Sequence, residues 1–326
     1  MKLPKGLCND ITDVPGVRVG HVTLYHKMNN QETICTGITS ILPHEGNIFK
    51  QKVPAAVYVI NGFGKTVGLV QVEELGVIES PILLTNTLSV GTVLQGTLQH
   101  MLQENPEIGD TTGTINIVVG ECNDGYLNSI RIPAIKQEHA IEAIQSAKSG
   151  PIKQGAIGAG KGMVCFDYKG GIGSASRMIA ESYTVGCLVL SNFGKRQQAM
   201  FANWQTEETV ETPDGSIMMI IATNAPLDAR QLKRLAKRCS LGLGRTGSIA
   251  ANGSGDIAIA FSTKNMYTHE SVDTCHTMHV LRDDDPLMEK IFQAVIETTE
   301  EAIINSLKFA ETTTGRQGRV VKRAPL

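Results

Sequence analysis

Apolar positions along this chain fall mostly in short alternating or continuous runs closed off by glycine and proline. Only a few stretches carry the longer 3.6-residue period of an amphipathic helix. Ile11 to Val22 reads as an early β-branched strand with a turn around Pro15 and Gly16. Strands are also expected at Thr36 to Leu42, Val53 to Ile60, Ile82 to Thr85, Ile115 to Val119, Met163 to Tyr168 and Thr184 to Leu190. Two more follow, at Ser216 to Ala222 and Asp256 to Ser262. Helical spacing links Val93, Leu94, Thr97, Leu98, Met101 and Leu102, with Ser89 as cap and Asn105-Pro106 as stop. Further helices are expected over Lys136 to Ala147, around Leu232, Leu235, Ala236 and Cys239, and after Asp285-Pro286 as one or two consecutive segments. Lys195 to Glu211 is polar and weakly periodic, and Gly242 to Gly255 is glycine-rich, so both read as loops. Groups of strands with interposed helices predict an α+β fold of at least two packed sheets with helices outside.

Composition narrows the function more than the fold. The 326 residues are 41% hydrophobic, enough for a large core, and leave one or two domains open. Thirty basic and 32 acidic side chains nearly cancel, without the basic and aromatic interleaving of a nucleic-acid surface. Nucleic acid is therefore not an expected partner. No run approaches the ~20 apolar residues of a membrane span and the start lacks a signal-peptide pattern, so a cytoplasmic location and no membrane partner are expected. Seven scattered cysteines fit reduced thiols.

Several polar groups sit where apolar runs end. Pro213, Asp214 and Gly215 form a turn, and Ser216 then opens the run Ile217 to Ala222. Were the Gly215–Ser216 bond cut, Ser216 would carry a hydroxyl and an α-amine of pKa roughly 7.7–8.0, nucleophile and base in one residue. A hairpin turn entering a sheet strand is the plainer reading. Glu121, Asp124 and Tyr126 follow the strand ending at Val119, and Asn192 follows the one ending at Leu190. Ser254 and Asp256 are two apart, which on extended chain puts both side chains on one face. Gly155 to Lys161 imitates a phosphate-binding loop but lacks the following Ser or Thr, and Gly242 to Gly247 lacks a strand–turn–helix context. His269, Cys275, His276 and His279 have no familiar zinc spacing, so neither cofactor nor metal is expected.

Taken together, Ile11 to His21, Val119 to Asn128, Asn192 to Gly194, Gly215 to Ile217, Ala222 to Leu227 and Asn252 to Asp256 make the chain resemble the L-aminopeptidase/D-Ala-esterase-amidase (DmpA-type) peptidases, which include β-peptidyl aminopeptidases. The resemblance covers nearly the whole chain. It implies one domain over 1–326, a four-layer αββα sandwich similar to N-terminal nucleophile hydrolases but differently connected, and a homotetramer. It also implies self-cleavage between Gly215 and Ser216 into an α chain 1–215 and a β chain 216–326. Ser216 would then be the nucleophile, assisted by Ser254 and Asp256, with Asn192 at the oxyanion and Tyr126 in the pocket. Asp124, or secondarily Glu121, would hold the substrate's free amine. The implied activity is metal-independent hydrolysis of short peptides, amides or esters through an acyl-serine. The family pattern leads one to expect glutamate where Asp256, and also Asp124, stand; each shorter side chain draws its carboxylate back by about one methylene. Two other readings stay open: an acyltransferase resembling ornithine acetyltransferase, and an uncleaved binding or assembly protein.

Overall fold

A computed structural model describes residues 2–202, 204, 215–271 and 273–326. The turn expected at Pro213 and Asp214, and residues 203 and 205–211 of the loop expected from Lys195 to Glu211, lie outside these residues.

In chain order the elements are β1 (Arg18–Lys27), β2 (Thr33–Leu42), β3 (Gln51–Gly62), α1 (Leu69–Leu75), β4 (Val77–Ile78), β5 (Ile82–Asn86), α2 (Val90–Glu104), β6 (Val118–Cys122) and α3 (Gln137–Gln145). They continue with β7 (Val164–Cys165), β8 (Tyr168–Lys169), β9 (Gly171–Ile179), β10 (Tyr183–Asn192), β11 (Ser216–Thr223), α4 (Ala229–Arg245), β12 (Gly255–Ser262), β13 (Tyr267–Thr268) and α5 (Pro286–Lys308). A short pair, β14 (Thr313–Thr314) and β15 (Val320–Val321), closes the chain.

Two sheets carry the fold: one of order β1-β2-β5-β6 and one of order β13-β3-β12-β11-β10-β9, with β4 beside β3. Side-chain alternation along each strand divides the apolar residues into three seams. On β11, Met218, Ile220 and Ala222 join Ile82, Leu84 and Val118 between the sheets. Its other face presents Ile217, Met219 and Ile221 to Leu232 and Leu235 of α4 and Ile291 and Val295 of α5. The smaller sheet packs Ile38, Leu83 and Val119 against Val93 of α2 and Ala140 and Ala143 of α3. The result is α+β, with helix, sheet, sheet and helix as four layers. Among the described residues no helix is long and apolar enough to cross a membrane.

Several expected elements are displaced, each for a local reason. Ile11–Asp13 is a 3-10 turn and the strand begins only at Arg18, after Gly16 has turned the chain at φ 90°. The strand expected from Met163 to Tyr168 is two short strands reversed at Phe166 and Asp167, both at positive φ. The helix after Ser89 is present, but Asn86, not Ser89, supplies the cap, accepting from the N–H groups of Leu88 and Ser89. Helix α4 runs through Gly242 to Arg245 rather than ending in a loop. A Cβ on Gly242 would lie 2.7 Å from the Ile296 carbonyl oxygen, so this glycine lets α4 press against α5. After Asp285 the chain forms one continuous helix, with the Asp285 side chain accepting from Leu287 N–H.

Candidate active site

Ser216 is the first residue of β11, a strand hydrogen-bonded on both edges, and only 6% of it is exposed. Antiparallel pairing with β10 sets Asn192 opposite Ser216, while parallel pairing with β12 sets Asp256 opposite Ile217. The sheet register thus brings together Asn192, Ser216 and Asp256 from three separate stretches. The Gly255 N–H donates to Ser216 Oγ at 3.1 Å, and Ser254 Oγ donates to Asp256 Oδ1 at 2.5 Å.

Asp256 is buried, and its Oδ2 has no hydrogen-bond partner among the described residues. Burial raises its carboxyl to about 6, opposed in part by the bond from Ser254. The loop before it is pinned by a residue that sequence reasoning passed over. Asn61, at the end of β3, donates from Nδ2 to the carbonyls of Ala251, Asn252 and Ser254, and Phe63 N–H reaches the Ser254 carbonyl at 3.2 Å. An amide flanked by Ile60 and Gly62 at a strand end was the available signal.

Asn192 is held at both ends of its amide. Oδ1 accepts from Val164 N–H at 2.8 Å and Nδ2 donates to the Asn123 carbonyl at 2.9 Å. A primary amide nitrogen carries two hydrogens, so one N–H of Asn192 remains for another acceptor. Gly215 is wedged against this residue: a Cβ there would fall 1.6 Å from the Asn192 carbonyl oxygen, a contact only glycine avoids. A cavity of about 140 Å³ opens beside them, lined by Phe193, Gly194, Lys195, Gly215, Ile249 and Ser254.

The acidic candidates part company. Glu121 belongs to β6 rather than to a loop after it, because β6 runs three residues beyond the expected Val119 and pairs in parallel with β5 up to Asn86↔Cys122. Glu121 Oε1 accepts from Lys65 N–H at 2.8 Å and Oε2 accepts from Thr87 Oγ1. Glu121 Oε1 and Gly255 Cα lie 3.6 and 3.9 Å from the point where a Gly64 Cβ would stand, so both flank Gly64. Asp124 is held differently. It packs against Gly162, and its Oδ1 accepts from Asn128 Nδ2 at 2.9 Å while burial raises its carboxyl to about 7. Tyr126 is half-buried under the Arg319 guanidinium, 4.7 Å from the ring centroid, and no bond joins it to Ser216.

Other marked motifs serve structure. Lys161, at the end of the phosphate-loop mimic, pairs with Glu311 and lies over the Tyr25 ring. His269 bonds Thr112 Oγ1 and stacks on Phe49, and no cluster of three metal-ligating side chains occurs among the described residues.

Comparison with known proteins agrees over the whole chain. A β-peptidyl aminopeptidase BapA of Sphingosinicella microcystinivorans is 38% identical, across 98% of this chain and 86% of that protein. A Pyrococcus horikoshii OT3 protein of known structure superposes with a TM-score of 0.91 at 49% identity, covering 100% of this chain and 93% of that one. The L-aminopeptidase D-Ala-esterase/amidase of Ochrobactrum anthropi gives 0.90 at 32% identity, covering 99% and 93%, and is described as a prototype serine aminopeptidase and a variant of the Ntn hydrolase fold. Residues 9–321 match peptidase family S58. A site built on β10, β11 and β12 of an Ntn-type αββα sandwich thus stands in a chain that belongs to peptidase family S58, a family of hydrolases.

Proposed function

We propose that this protein is a self-processing serine aminopeptidase. It would cleave short peptides, amino-acid amides or esters that carry a free amino terminus. The observation that carries this reading is Ser216 at the head of β11, its Oγ held by the Gly255 N–H beside the Ser254–Asp256 pair. In processing, Ser216 Oγ attacks the Gly215 carbonyl carbon and its proton passes to the Ser216 nitrogen as the peptide C–N bond breaks, which frees the α-amine; water then hydrolyses the resulting ester, releasing the Gly215 carboxylate and restoring the Ser216 hydroxyl. In turnover that amine takes the hydroxyl proton as Oγ attacks the substrate carbonyl, and it returns a proton to the leaving group. Asn192 offers its remaining N–H to the oxyanion. The ionised Asp256 accepts from Ser254 and keeps that hydroxyl oriented. A carboxylate of the segment after Val119, Asp124 or secondarily Glu121, would hold the substrate ammonium. Mass analysis under denaturing conditions, with sequencing of the new terminus, tests the reading: fragments 1–215 and 216–326 are expected, and an intact yet active chain would sink it.

The Asp256 carboxyl has a pH consequence. Below roughly 7.7–8.0 the α-amine protonates and log kcat/KM falls with a slope of one. Below about 6 Asp256 protonates as well, and the slope is expected to steepen to two. Asp256→Asn should lose about 10²-fold or more in kcat/KM and keep a slope of one throughout. Because burial raises the folded-state pKa above its unfolded value, the proton's stabilising contribution is complete below about 3.9 and lost as pH rises through about 6. The asparagine variant should accordingly melt higher than the parent above pH 6. A parent profile with a slope of one down to pH 5 would remove Asp256 from the mechanism.

A further inference from the structure

Lys169 is fully buried, and its Nζ donates to three backbone carbonyls: Gly160 at 2.9 Å, Met163 at 2.8 Å and Gly170 at 2.8 Å. An ammonium has three N–H bonds, so its donor capacity is used up. Holding a charge in such a place is costly, and burial lowers the Lys169 pKa to about 7, but three carbonyl acceptors around Nζ call for the three N–H bonds that only the charged form has. The Met163 carbonyl belongs to the peptide group whose opposite end, the Val164 N–H, donates to Asn192 Oδ1 at 2.8 Å. From the Lys169 ammonium to the Asn192 amide there is therefore one peptide group. Hydrogen bonds in such a chain polarise one another, and the low local dielectric strengthens them.

We propose that Lys169 is a positioning residue for hydrolysis: acting through the Met163–Val164 peptide group, its ammonium orients and polarises the Asn192 amide and so strengthens the Nδ2–H offered to the oxyanion. Charge drawn toward the Met163 oxygen makes the Val164 N–H a better donor. That bond in turn draws charge toward Asn192 Oδ1 and makes Nδ2–H more acidic. The inference rests on the oxyanion role proposed for Asn192. A loop staple alone would act on stability, whatever residue stands at 192.

A double-mutant cycle separates the two roles. Lys169→Met, Asn192→Ala and the double variant are compared on an aminoacyl p-nitroanilide, with kcat expressed per mature Ser216 terminus. Lys169→Met is expected to lower kcat about tenfold with KM within twofold, a fraction of the ~10²–10³ that one oxyanion donor supplies. In the Asn192→Ala background the same change should cost less than threefold. Equal losses in both backgrounds, or a raised KM at constant kcat, would overturn the relay and leave the Asn192 reading standing. An Asn192→Ala variant with unchanged kcat would overturn both. If Lys169→Met does not accumulate as folded protein, Lys169→Arg, which keeps the charge but shifts the donors, is carried through the same cycle with the same criteria.

Discussion

Ser216→Ala is expected to remain a single 326-residue chain and to lose turnover by about 10⁶-fold, the scale seen when a serine hydrolase loses its nucleophile. Both effects have one cause, since the Oγ that would open the Gly215–Ser216 bond is the Oγ that would attack substrate. The fold should be indifferent to the change. The Ser216 hydroxyl accepts from the Gly255 N–H, and the strand ladder uses backbone groups that alanine keeps. Gly215→Ala divides the two activities. Its Cβ would collide with the Asn192 carbonyl, so processing should slow, while any molecules that do mature have lost residue 215 from the reacting chain and should turn over normally. Denaturing gels and active-site counts on the two variants check this, and a processed Ser216→Ala chain would end the argument.

Arg177→Met is expected to cost about 3–5 kcal/mol of stability, the usual penalty for stranding buried partners of an ion pair. Arg177 is 1% exposed on β9, with Nε on Glu297 Oε2 at 2.8 Å and Nη2 on Glu301 Oε2 at 2.5 Å, both on α5. The N-terminal segment joins the same network, through Leu3 N–H on Glu297 and through Lys5 and Asn9 on Glu301. Burial alone would raise the Glu301 carboxyl, but the bonds from Lys5, Arg177 and Asn9 outweigh it and hold it at about 2. With the folded pKa depressed, this contribution is present above the unfolded value near 4.3 and lost as pH falls through about 2. Arg177 lies before residue 215 and both glutamates after it, so in a cleaved molecule the network would tie one fragment to the other. The variant should lower the denaturant midpoint and shed the 216–326 fragment at lower urea than the parent. An unchanged midpoint would show the network to be dispensable.

Much of the layered architecture was legible because strands such as Ile217 to Ala222 and helices such as α2 carry their period openly. What was not legible depends on partners distant in sequence. Strand β9 drew no expectation because it opens on Gly171 and Gly173 and approaches α5 through glycine: a Cβ on Gly173 would stand 1.9 Å from the Ala302 carbonyl oxygen. Its signal is a missing side chain, which hydropathy cannot register. Glu121 looked like a loop residue because a glutamate inside a buried strand is tolerable only with Lys65 N–H and Thr87 at hand. The candidate site residues Ser216, Ser254, Asp256 and Asn192 were named from sequence, and the sheet register explains their meeting. Lys169 was passed over, although a lysine set between Tyr168 and Gly170-Gly171 in an apolar, glycine-rich stretch is itself an anomaly.

The pairing of β11 with β10 begins at Ser216↔Asn192, and Gly215 contributes nothing to that ladder. Opening the bond before Ser216 would consequently leave every rung of the sheet in place. The chain at that point transmits sequence order but no mechanical load. Whatever holds the Ser216 hydroxyl before such a cut would go on holding it afterwards.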